Sequence, residues 1–305
     1  MPFFSVIIPL YNKEDFVEQT INSLLHQSHI DYEVIIVNDG STDNSVKKIE
    51  SLIDNRFKII NQKNLGASHA RNNGIKASKG NYVALLDADD FWHGDHLLEL
   101  KKLIEKFPSA GLFCNNYEVK RNEDFITSAT FNFSFSKDYI IIKDFFEAST
   151  ITFIPTSSSV AFLKSTFYDV GTYNISLRTG QDIDLWIKLG LKYKVAFNPK
   201  ITMTYNIYDD NSLSKSKYNS DRYQLINNYN EEEKTNQSLK KYLDINRYAL
   251  ALRCKINKEV TLYKLLKSEI NFNNLNFKQK TLINCPKSFL KGIKLFQQFL
   301  IKHNI

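Results

Sequence analysis

Two groups of carboxylates in this 305-residue chain each follow a short run of β-branched and other apolar residues. Asp39 comes soon after the first run, and Asp87, Asp89 and Asp90 come directly after the second. Loops of this kind build a polar site at the carboxyl edge of an open α/β sheet. As alternate residues of an extended loop, Asp87 and Asp89 can converge on one ligand, while Asp90 is placed to cap the next helix.

Two carboxylates without a His or Cys partner favour a hard cation, Mg²⁺ or Mn²⁺, which in turn binds phosphate oxygens. The alternative for both groups is a solvated turn whose aspartates only cap helices. A third segment, 64–74, places Arg71 one turn into a helix that begins at the same edge, where a guanidinium can meet a diphosphate or a base. A surface arginine is the alternative there. Together these segments indicate an enzyme that handles a phosphorylated, metal-bound ligand.

Strands that alternate with helices over most of the chain must position these residues. This order predicts βαβ units and a mostly parallel sheet. The segment 125–153 is rich in Phe, Ile and Thr, which predicts edge strands and a short helix near 143–148. The predicted strands are 4–10, 32–37, 57–60, 82–86, 157–162 and 195–205, and the predicted helices include 68–78, 95–107 and 182–191.

The bulk composition indicates an ordinary globular protein with 43% hydrophobic residues. No apolar run approaches the roughly 18 residues of a membrane span, and the first residues lack a basic signal-peptide region, so we expect a cytoplasmic protein. The three cysteines lack metal-binding spacing, which favours reduced, structural thiols.

The net charge of +7 is concentrated in the last part of the chain. From Tyr218 onward, 16 Lys and Arg residues stand against 7 Asp and Glu, and no acidic residue follows Glu269. We therefore predict two parts, a catalytic domain at 1–217 and a basic helical region at 218–305. In the last predicted helix, 286–303, four apolar residues share one face with the lysines largely off it: Phe289, Ile293, Phe296 and Leu300. This pattern is typical of an interfacial helix, and a terminal helix packed on the catalytic domain is the alternative.

Five segments in this order resemble the family 2 glycosyltransferases of GT-A fold. The resemblance covers roughly residues 3–214 and does not extend to the basic tail. It implies an α/β fold, a GT-A type α/β/α sandwich with a mostly parallel mixed sheet, followed by a C-terminal helical extension. The segments are 5–12, 37–43, 64–74, 86–90 with its Asp-x-Asp motif, and 181–186.

The resemblance also implies a function, an inverting transfer from a nucleotide-sugar, expected to be UDP-linked, with Mn²⁺ or Mg²⁺ as cofactor. The acceptor would be a glycan or lipid-linked molecule in cell-surface polysaccharide synthesis, reached in the cytoplasm or peripherally at the inner face of the membrane. No nucleic acid is expected as a partner. The basic helix at the C-terminus would then meet an anionic membrane surface.

Site residues are carried over from the family motifs by position. Asp182 would be the catalytic base and Asp89 the metal ligand, with Asp90, Gln181 and Asp184 as secondary candidates. Without the resemblance, Asp182 is an ordinary helix N-cap. Gln181 replaces the Glu that usually precedes the base, and Tyr208 stands where a His is often found. The residues implied to bind the nucleotide-sugar are Pro9, Tyr11, Asp39 and Arg71 at the base and Asp87 at the ribose.

Two other functions are compatible with carboxylates at a sheet edge. A nucleotidyltransferase would more often show a Gly-rich, basic loop after its first strand, and a non-catalytic member of the same fold would bind a nucleotide-sugar without transfer. A Rossmann oxidoreductase and a P-loop NTPase lack support, because neither GxGxxG nor GxxxxGK[ST] follows any predicted strand.

Overall fold

The computed structural model describes residues 1–207 and 218–302. Tyr208 and the predicted boundary at residue 217 lie outside the described residues. The strands found there are β1 (Phe4–Leu10), β2 (Tyr32–Asn38), β3 (Phe57–Asn61), β4 (Tyr82–Leu85), β5 (Phe91–Trp92), β6 (Leu112–Lys120), β7 (Ile126–Ser128), β8 (Ile140–Ile141), β9 (Val160–Leu163) and β10 (Val195–Asn206).

Helices lie between the strands and continue after the sheet. They are α1 (Val17–Leu25), α2 (Ser45–Ile49), α3 (Ala67–Ala77), α4 (His96–Lys106), α5 (Phe145–Ala148), α6 (Lys164–Asp169), α7 (Gln181–Lys192), α8 (Asn219–Asn227), α9 (Glu232–Thr235), α10 (Gln237–Asn257), α11 (Val260–Glu269), α12 (Phe277–Asn284) and α13 (Lys287–Lys302). None of the helices in the described ranges has the length and hydropathy of a membrane span.

The strands form one mixed sheet in the order β3-β2-β1-β4-β9-β6-β10-β5, with β7 and β8 paired to β6 and β10. β1, β2, β3 and β4 are parallel, and β9 runs antiparallel between β4 and β6. β6 and β10 are parallel to each other. The carboxyl ends of β1, β2, β4, β6 and β10 therefore share one edge of the sheet. The predicted α/β sandwich with a mostly parallel mixed sheet is confirmed.

Helix α3 packs closely on β1 and β2, and a glycine makes this approach feasible. A Cβ added at Gly74 would stand 2.5 Å from Cγ2 of Ile7 and 3.2 Å from Cγ2 of Val37, both of which are fully buried strand residues. Any larger residue would force the helix away from the sheet. The glycine thus sets the distance between the strands and the helix that carries Arg71.

Strand β6 is absent from the sequence prediction although it lies inside the sheet. Polar residues interrupt its apolar run, and Asn115 and Asn116 are buried. Oδ1 of Asn115 accepts from Nδ2 of Asn198 at 2.9 Å, and Nδ2 of Asn116 donates to the backbone carbonyl of Pro199 at 2.9 Å. These side chains pair with the irregular stretch of β10, where the register shifts near Asn198. A buried strand can therefore contain asparagines when the irregular backbone of a neighbouring strand provides hydrogen-bond partners for their side-chain amides.

The predicted strand 157–162 begins later than expected. Ser157–Ser159 forms a 3-10 turn with a capping box from Thr156, and only Val160–Leu163 pairs as β9. Three consecutive serines favour such a turn because their hydroxyls bond nearby backbone groups. This turn places Ser158 at the edge where β4 ends.

The C-terminal helices pack directly on the sheet domain. Tyr242 of α10 stacks on Phe153 with 5.2 Å between ring centroids, and Lys241 forms a 2.7 Å ion pair with Glu147. One cluster of buried apolar side chains runs from the sheet into α10, α11 and α12. The helical character predicted for the tail is confirmed, while its division into a separate domain stays a prediction.

Candidate active site

The candidate site lies where the chain reverses its direction of strand addition. β1 pairs with β2 on one side and with β4 on the other, both in parallel. Such a switch point leaves a crevice at the carboxyl ends of the strands, and ligands of open α/β sheets bind there. Asp39 follows β2 and Asp87 follows β4, so the structure brings both acidic groups to this crevice.

The loop after β1 is fixed against the loop after β2. The Asn12 backbone has a positive φ of 49°, and its side-chain oxygen accepts from the Thr42 amide at 2.8 Å. The Lys13 amide donates to Oγ of Ser45 at 2.7 Å. Tyr11, beside this anchor, keeps 44% of its surface exposed, and Pro9 is half-buried. An exposed aromatic ring on a rigid loop can stack on a base.

Asp39 is buried and organises the loop that leads into α3. Its carboxylate accepts from the Leu65 amide at 2.8 Å, from the Gly66 amide at 2.8 Å and from Nε2 of Gln62 at 2.7 Å. A carboxylate offers about four lone-pair positions, so these three bonds leave room for one further donor. Its predicted contact with a nucleobase stays a prediction.

Arg71 and Asp87 form an ion pair inside the crevice. Nη2 of Arg71 lies 2.6 Å from Oδ1 of Asp87, and the arginine side chain is only 7% exposed. Burial alone would lower the pKa of Arg71, but the charges of Asp87, Tyr173 and Asp182 raise it overall. Its Nε and Nη1 atoms are buried without a hydrogen-bond partner among the described residues. Arg71 is therefore a permanent cation whose Nε and Nη1 groups could donate hydrogen bonds to a ligand.

Asp90 does not cap the following helix, so that prediction is wrong. α4 begins at His96 with Asp95 at its N-cap position, and Asp90 is buried instead. Its carboxylate accepts from Oγ of Ser158 at 2.5 Å and from the Asn206 amide at 2.8 Å. Burial, followed by the charges of Asp89 and Asp87, raises its pKa well above the ordinary value. Asp90 thus ties the end of β4 to the end of β10.

Asp89 forms an ion pair with Lys13 of the β1 loop. Nζ of Lys13 lies 2.6 Å from Oδ2 of Asp89, and both side chains are largely buried at 17% and 16% exposure. No group of three His, Cys, Asp or Glu side chains that could hold a metal ion is found within residues 1–207 and 218–302. The ammonium therefore occupies the carboxylate oxygen that a metal ion would also use.

Helix α7 brings Gln181 and Asp182 to the same crevice. Gly180 precedes the helix in a left-handed conformation with φ of 78°, so Asp182 lies within the first turn and is not the N-cap. Oδ1 of Asp182 accepts from the Ile183 amide at 2.9 Å. Gln181 is buried, and its side-chain oxygen has no partner among the described residues.

Charges across the crevice act on Asp182. Burial raises the pKa of its carboxyl above the ordinary 3.8, and the charge of Arg71 and the Ile183 amide oppose only part of that shift. Asp87 raises it further. A carboxylate with a raised pKa is a stronger base than an ordinary aspartate, as proton abstraction from a hydroxyl requires.

Asp184 occupies a different environment two residues further along α7. It is 1% exposed, accepts from the Tyr229 hydroxyl at 2.8 Å and pairs with Lys188 at 2.5 Å. The bond from Tyr229 attaches α7 to the segment after α8, while Lys188 lies on α7 itself. The contacts of Asp184 are with packed neighbours, and its assignment as a secondary site candidate stays a prediction.

Four site residues escaped sequence reasoning. Ser158 accepts from the Asp87 amide at 2.9 Å while it donates to Asp90, and Lys13 pairs with Asp89. Arg71 lies 5.5 Å from the ring centroid of Tyr173, whose hydroxyl is buried. The pKa of Tyr205 is raised by burial and by the charges of Asp90, Asp182, Asp87 and Asp89. The signal for Tyr205 was its place at the end of a predicted strand, whereas the others depend on contacts distant in sequence.

Comparison with known proteins places this geometry in context. Residues 5–169 match the model of Glycosyl transferase family 2. The putative teichuronic acid biosynthesis glycosyltransferase TuaG of Bacillus subtilis is 30% identical over 234 residues, which cover 71% of this chain and 83% of TuaG. The uncharacterized glycosyltransferase EpsJ of the same species is 46% identical over 93 residues, or 30% of this chain, and the match spans only 27% of EpsJ.

Solved structures agree with the sequence match. The crystal structure of S. aureus TarS 1-349 has a TM-score of 0.68 at 18% identity, covering 89% of this chain and 82% of that one. The same TarS fragment in complex with UDP-GlcNAc gives a TM-score of 0.67 at 17% identity, with the same coverage. At this identity the likeness speaks for the fold. Since the family model covers more than half of the residues, the chain belongs to glycosyl transferase family 2.

Proposed function

We propose that this chain transfers a sugar from a UDP-sugar to a glycan or lipid-linked acceptor, with inversion at the anomeric carbon. The observation that carries the proposal is the crevice at the β1/β4 switch point, where Arg71 pairs with Asp87 at 2.6 Å and the charges of Arg71 and Asp87 both act on Asp182. The TarS fragment that shares the fold was crystallised with UDP-GlcNAc, which supports a UDP-linked donor. TuaG, named for teichuronic acid biosynthesis, supports a role in cell-surface polysaccharide synthesis.

Donor binding would use the side of the crevice formed by the loops after β1, β2 and β4. The exposed Tyr11 ring, with Pro9 beside it, would stack on the base, and the remaining lone pair of Asp39 would accept from it. The unpartnered Nε and Nη1 groups of Arg71 would donate to the nucleotide, and Asp87, oriented by Ser158 and Arg71, would accept from the ribose hydroxyls.

Asp182 would act as general base toward the acceptor hydroxyl. Its raised pKa makes it the stronger base, and removal of the proton lets the acceptor oxygen attack the anomeric carbon as the diphosphate leaves. The new glycosidic bond forms opposite the bond that breaks, so a single displacement inverts the configuration. No protein nucleophile is required for this route.

The residues at the Asp-x-Asp motif fit a divalent cation. Asp89 presents a carboxylate oxygen that already holds the Lys13 ammonium, and hard oxygen ligands are those that Mn²⁺ and Mg²⁺ prefer. Asp89, with Asp87 nearby, would hold the ion. When bound, it would neutralise charge on the departing diphosphate.

We also propose a cytoplasmic enzyme that works at the inner face of the membrane, where a lipid-linked acceptor is accessible. The basic C-terminal region supports this location, because six lysines and no acidic residue follow Glu269. Nucleic acid is not proposed as a partner.

A thermal-shift screen of nucleotide-sugars with and without Mn²⁺ tests the proposal. The correct donor should raise the unfolding temperature by mass action, and a positive donor should then be consumed in the presence of acceptor glycans. The anomeric configuration of the product is read by nuclear magnetic resonance.

Each alternative gives a different result in the same screen. Stabilisation by nucleoside triphosphates with release of pyrophosphate would identify a nucleotidyltransferase. Stabilisation by a nucleotide-sugar without turnover against any acceptor or water would identify a binding protein. A product that retains the donor configuration would refute Asp182 as the base of a single displacement.

A further inference from the structure

Helix α13 presents three different faces along its length. On a helix with about 3.6 residues per turn, Leu290, Ile293, Leu300 and Ile301 share one face. Leu290 is buried and the other three are half-buried, so this face points toward the protein. Ile293 and Leu300, which were predicted to share a face with Phe289 and Phe296, are half-buried, whereas the two phenylalanines next to them on the helix are exposed.

A second face of α13 is apolar and exposed. It carries Phe289 at 55% exposure, Leu295 at 65%, Phe296 at 61% and Phe299 at 53%. Large apolar side chains are usually covered or scattered singly, whereas these four lie within three turns of one helix. A concentration of exposed apolar side chains of this kind is typical of a surface that contacts an apolar partner.

The third face of α13 is basic and borders the exposed apolar one. Lys287, Lys291, Lys294 and Lys302 lie there, and the residues from 270 to the end contain no Asp or Glu. An apolar stripe flanked by lysines matches the boundary of an anionic bilayer, with acyl chains beneath phosphate groups. A second copy of this chain would instead bring like charges together, which opposes self-association through this face.

A hydrogen bond links α13 to the edge of the sheet that holds the candidate active site. Nδ2 of Asn122 donates to the Ile301 carbonyl at 3.0 Å. Asn122 lies two residues after the end of β6, whose carboxyl end lies at the same edge as those of β1, β2 and β4. The end of α13 is therefore held at the side of the molecule where the crevice opens.

We propose that α13 lies in the interface of an anionic phospholipid membrane, with Phe289, Leu295 and Phe296 inserted among the acyl chains and the lysines at the phosphates. This inference rests on the proposed function, in which the acceptor is lipid-linked, and adds the surface that brings the crevice to it. Docking through α13 sets the sheet edge beside the bilayer, so a membrane-anchored acceptor reaches Asp182 without leaving the lipid.

Vesicle binding of the full chain tests the inference. Wild-type protein should co-sediment with vesicles of phosphatidylglycerol and phosphatidylcholine at low salt, and binding should weaken in pure phosphatidylcholine or in about 0.5 M salt. The double change Phe289→Ser and Phe296→Ser should weaken partitioning at least about tenfold, because the lost apolar contact is with lipid. Lys291→Glu with Lys294→Glu should weaken binding to anionic vesicles selectively.

Ile30→Ser is the matched control. Ile30 is 74% exposed and precedes β2, at the opposite edge of the sheet, so its loss should leave partitioning unchanged. Unfolding temperature and donor-induced stabilisation, measured on every variant, separate failure of docking from failure of the proposed function. The inference is overturned if wild-type protein ignores anionic vesicles, if the Phe289/Phe296 variant binds them normally, or if that variant only dissolves a dimer seen by light scattering.

Discussion

The carboxylates on the donor side of the crevice differ from the carboxylate on helix α7 in what holds them. Asp39, Asp87 and Asp89 accept from amides or cations that come from other segments of the chain. Asp182 accepts from the backbone of its own segment, from the Ile183 amide at 2.9 Å and from its own amide. The pKa of Asp182 is raised. On the donor side, Arg71 forms an ion pair with Asp87, and Lys13 forms one with Asp89.

This difference separates two tasks that acidic residues perform. A carboxylate fixed by several donors keeps its geometry and suits the recognition of a ligand. A buried carboxylate with few hydrogen-bond donors and little contact with water has a raised pKa, and so accepts a proton more readily in a reaction. We expect substitutions on the donor side to change binding and the substitution of Asp182 to change the rate.

Asp182→Asn should have the largest effect. Loss of a general base lowers the rate of transfer by about 10²- to 10⁴-fold, while the affinity for donor changes little. Measurement of kcat by a coupled diphosphate assay and of donor affinity by calorimetry checks both parts. Turnover near that of the wild type would remove Asp182 from the role of base.

Arg71→Met should act on binding. Loss of a hydrogen bond to a charged group costs about 1.5–3 kcal/mol, so the affinity for donor should fall by roughly ten- to a hundredfold. Arg56→Met is the matched control, since Arg56 pairs with Asp54 at 2.6 Å at the far end of β3. If both variants bind donor equally well in calorimetry, Arg71 does not contact the nucleotide.

Asp184→Asn should act on stability rather than on catalysis. The change removes the charged acceptor of Lys188 and weakens the bond from Tyr229, at a cost of about 1–3 kcal/mol in the free energy of unfolding. Urea denaturation measures this loss, and Tyr229→Phe should reproduce part of it. A variant that loses transfer but keeps its stability would show that both α7 carboxylates belong to the reaction.

The raised pKa of Asp182 predicts a particular pH dependence. Transfer should fall by about tenfold per pH unit as the pH drops below that pKa, since only the ionised form acts as base. A raised carboxyl pKa means that the folded state binds the proton more tightly, so ionised Asp182 destabilises the fold at neutral pH. Asp182→Asn should therefore unfold at a slightly higher temperature there, and the difference should vanish in acid. A lower unfolding temperature at neutral pH would contradict the raised pKa.

Lys13→Met should have the smallest effect, on metal affinity. The Lys13 ammonium competes with a divalent ion for one oxygen of Asp89. If displacing the ammonium costs about 1 kcal/mol, its removal should tighten Mn²⁺ binding roughly fivefold in the variant. Calorimetric titration of Mn²⁺ without donor measures it, and Lys13→Arg should remain close to the wild type. Weaker Mn²⁺ binding in Lys13→Met would mean that the lysine supports the metal site.

The sequence predicted the donor side of the fold well because the information there is local. β1, β2 and β4 are short, mostly apolar runs followed by polar turns, and their length and β-branched residues favour buried strands. Strand β6 escaped because Asn115 and Asn116 break the apolar pattern, and only the bulge in β10 explains why they can be buried.

The site residues that the sequence motifs did not identify are held there by contacts between segments distant in sequence. The hydroxyl of Ser158 joins Asp87 to Asp90 across about seventy positions, and Asn206 reaches Asp90 from the end of β10. No periodicity encodes such pairings, since they arise from the antiparallel placement of β9 next to β4. The helix cap assigned to Asp90 was wrong for the same reason, because this distant pairing outcompetes the local one.

The contact between helix α3 and the strands leaves no space for even one methyl group at Gly74. A Cβ at this position would approach Ile7 to 2.5 Å, so it could be accommodated only by lifting α3 from the strands. Arg71 lies one turn earlier on that helix and would be lifted with it, away from Asp87. A substitution at residue 74 would therefore displace Arg71, although the residue itself lies between the helix and the strands. The geometry of the crevice thus depends on a position in the packed core.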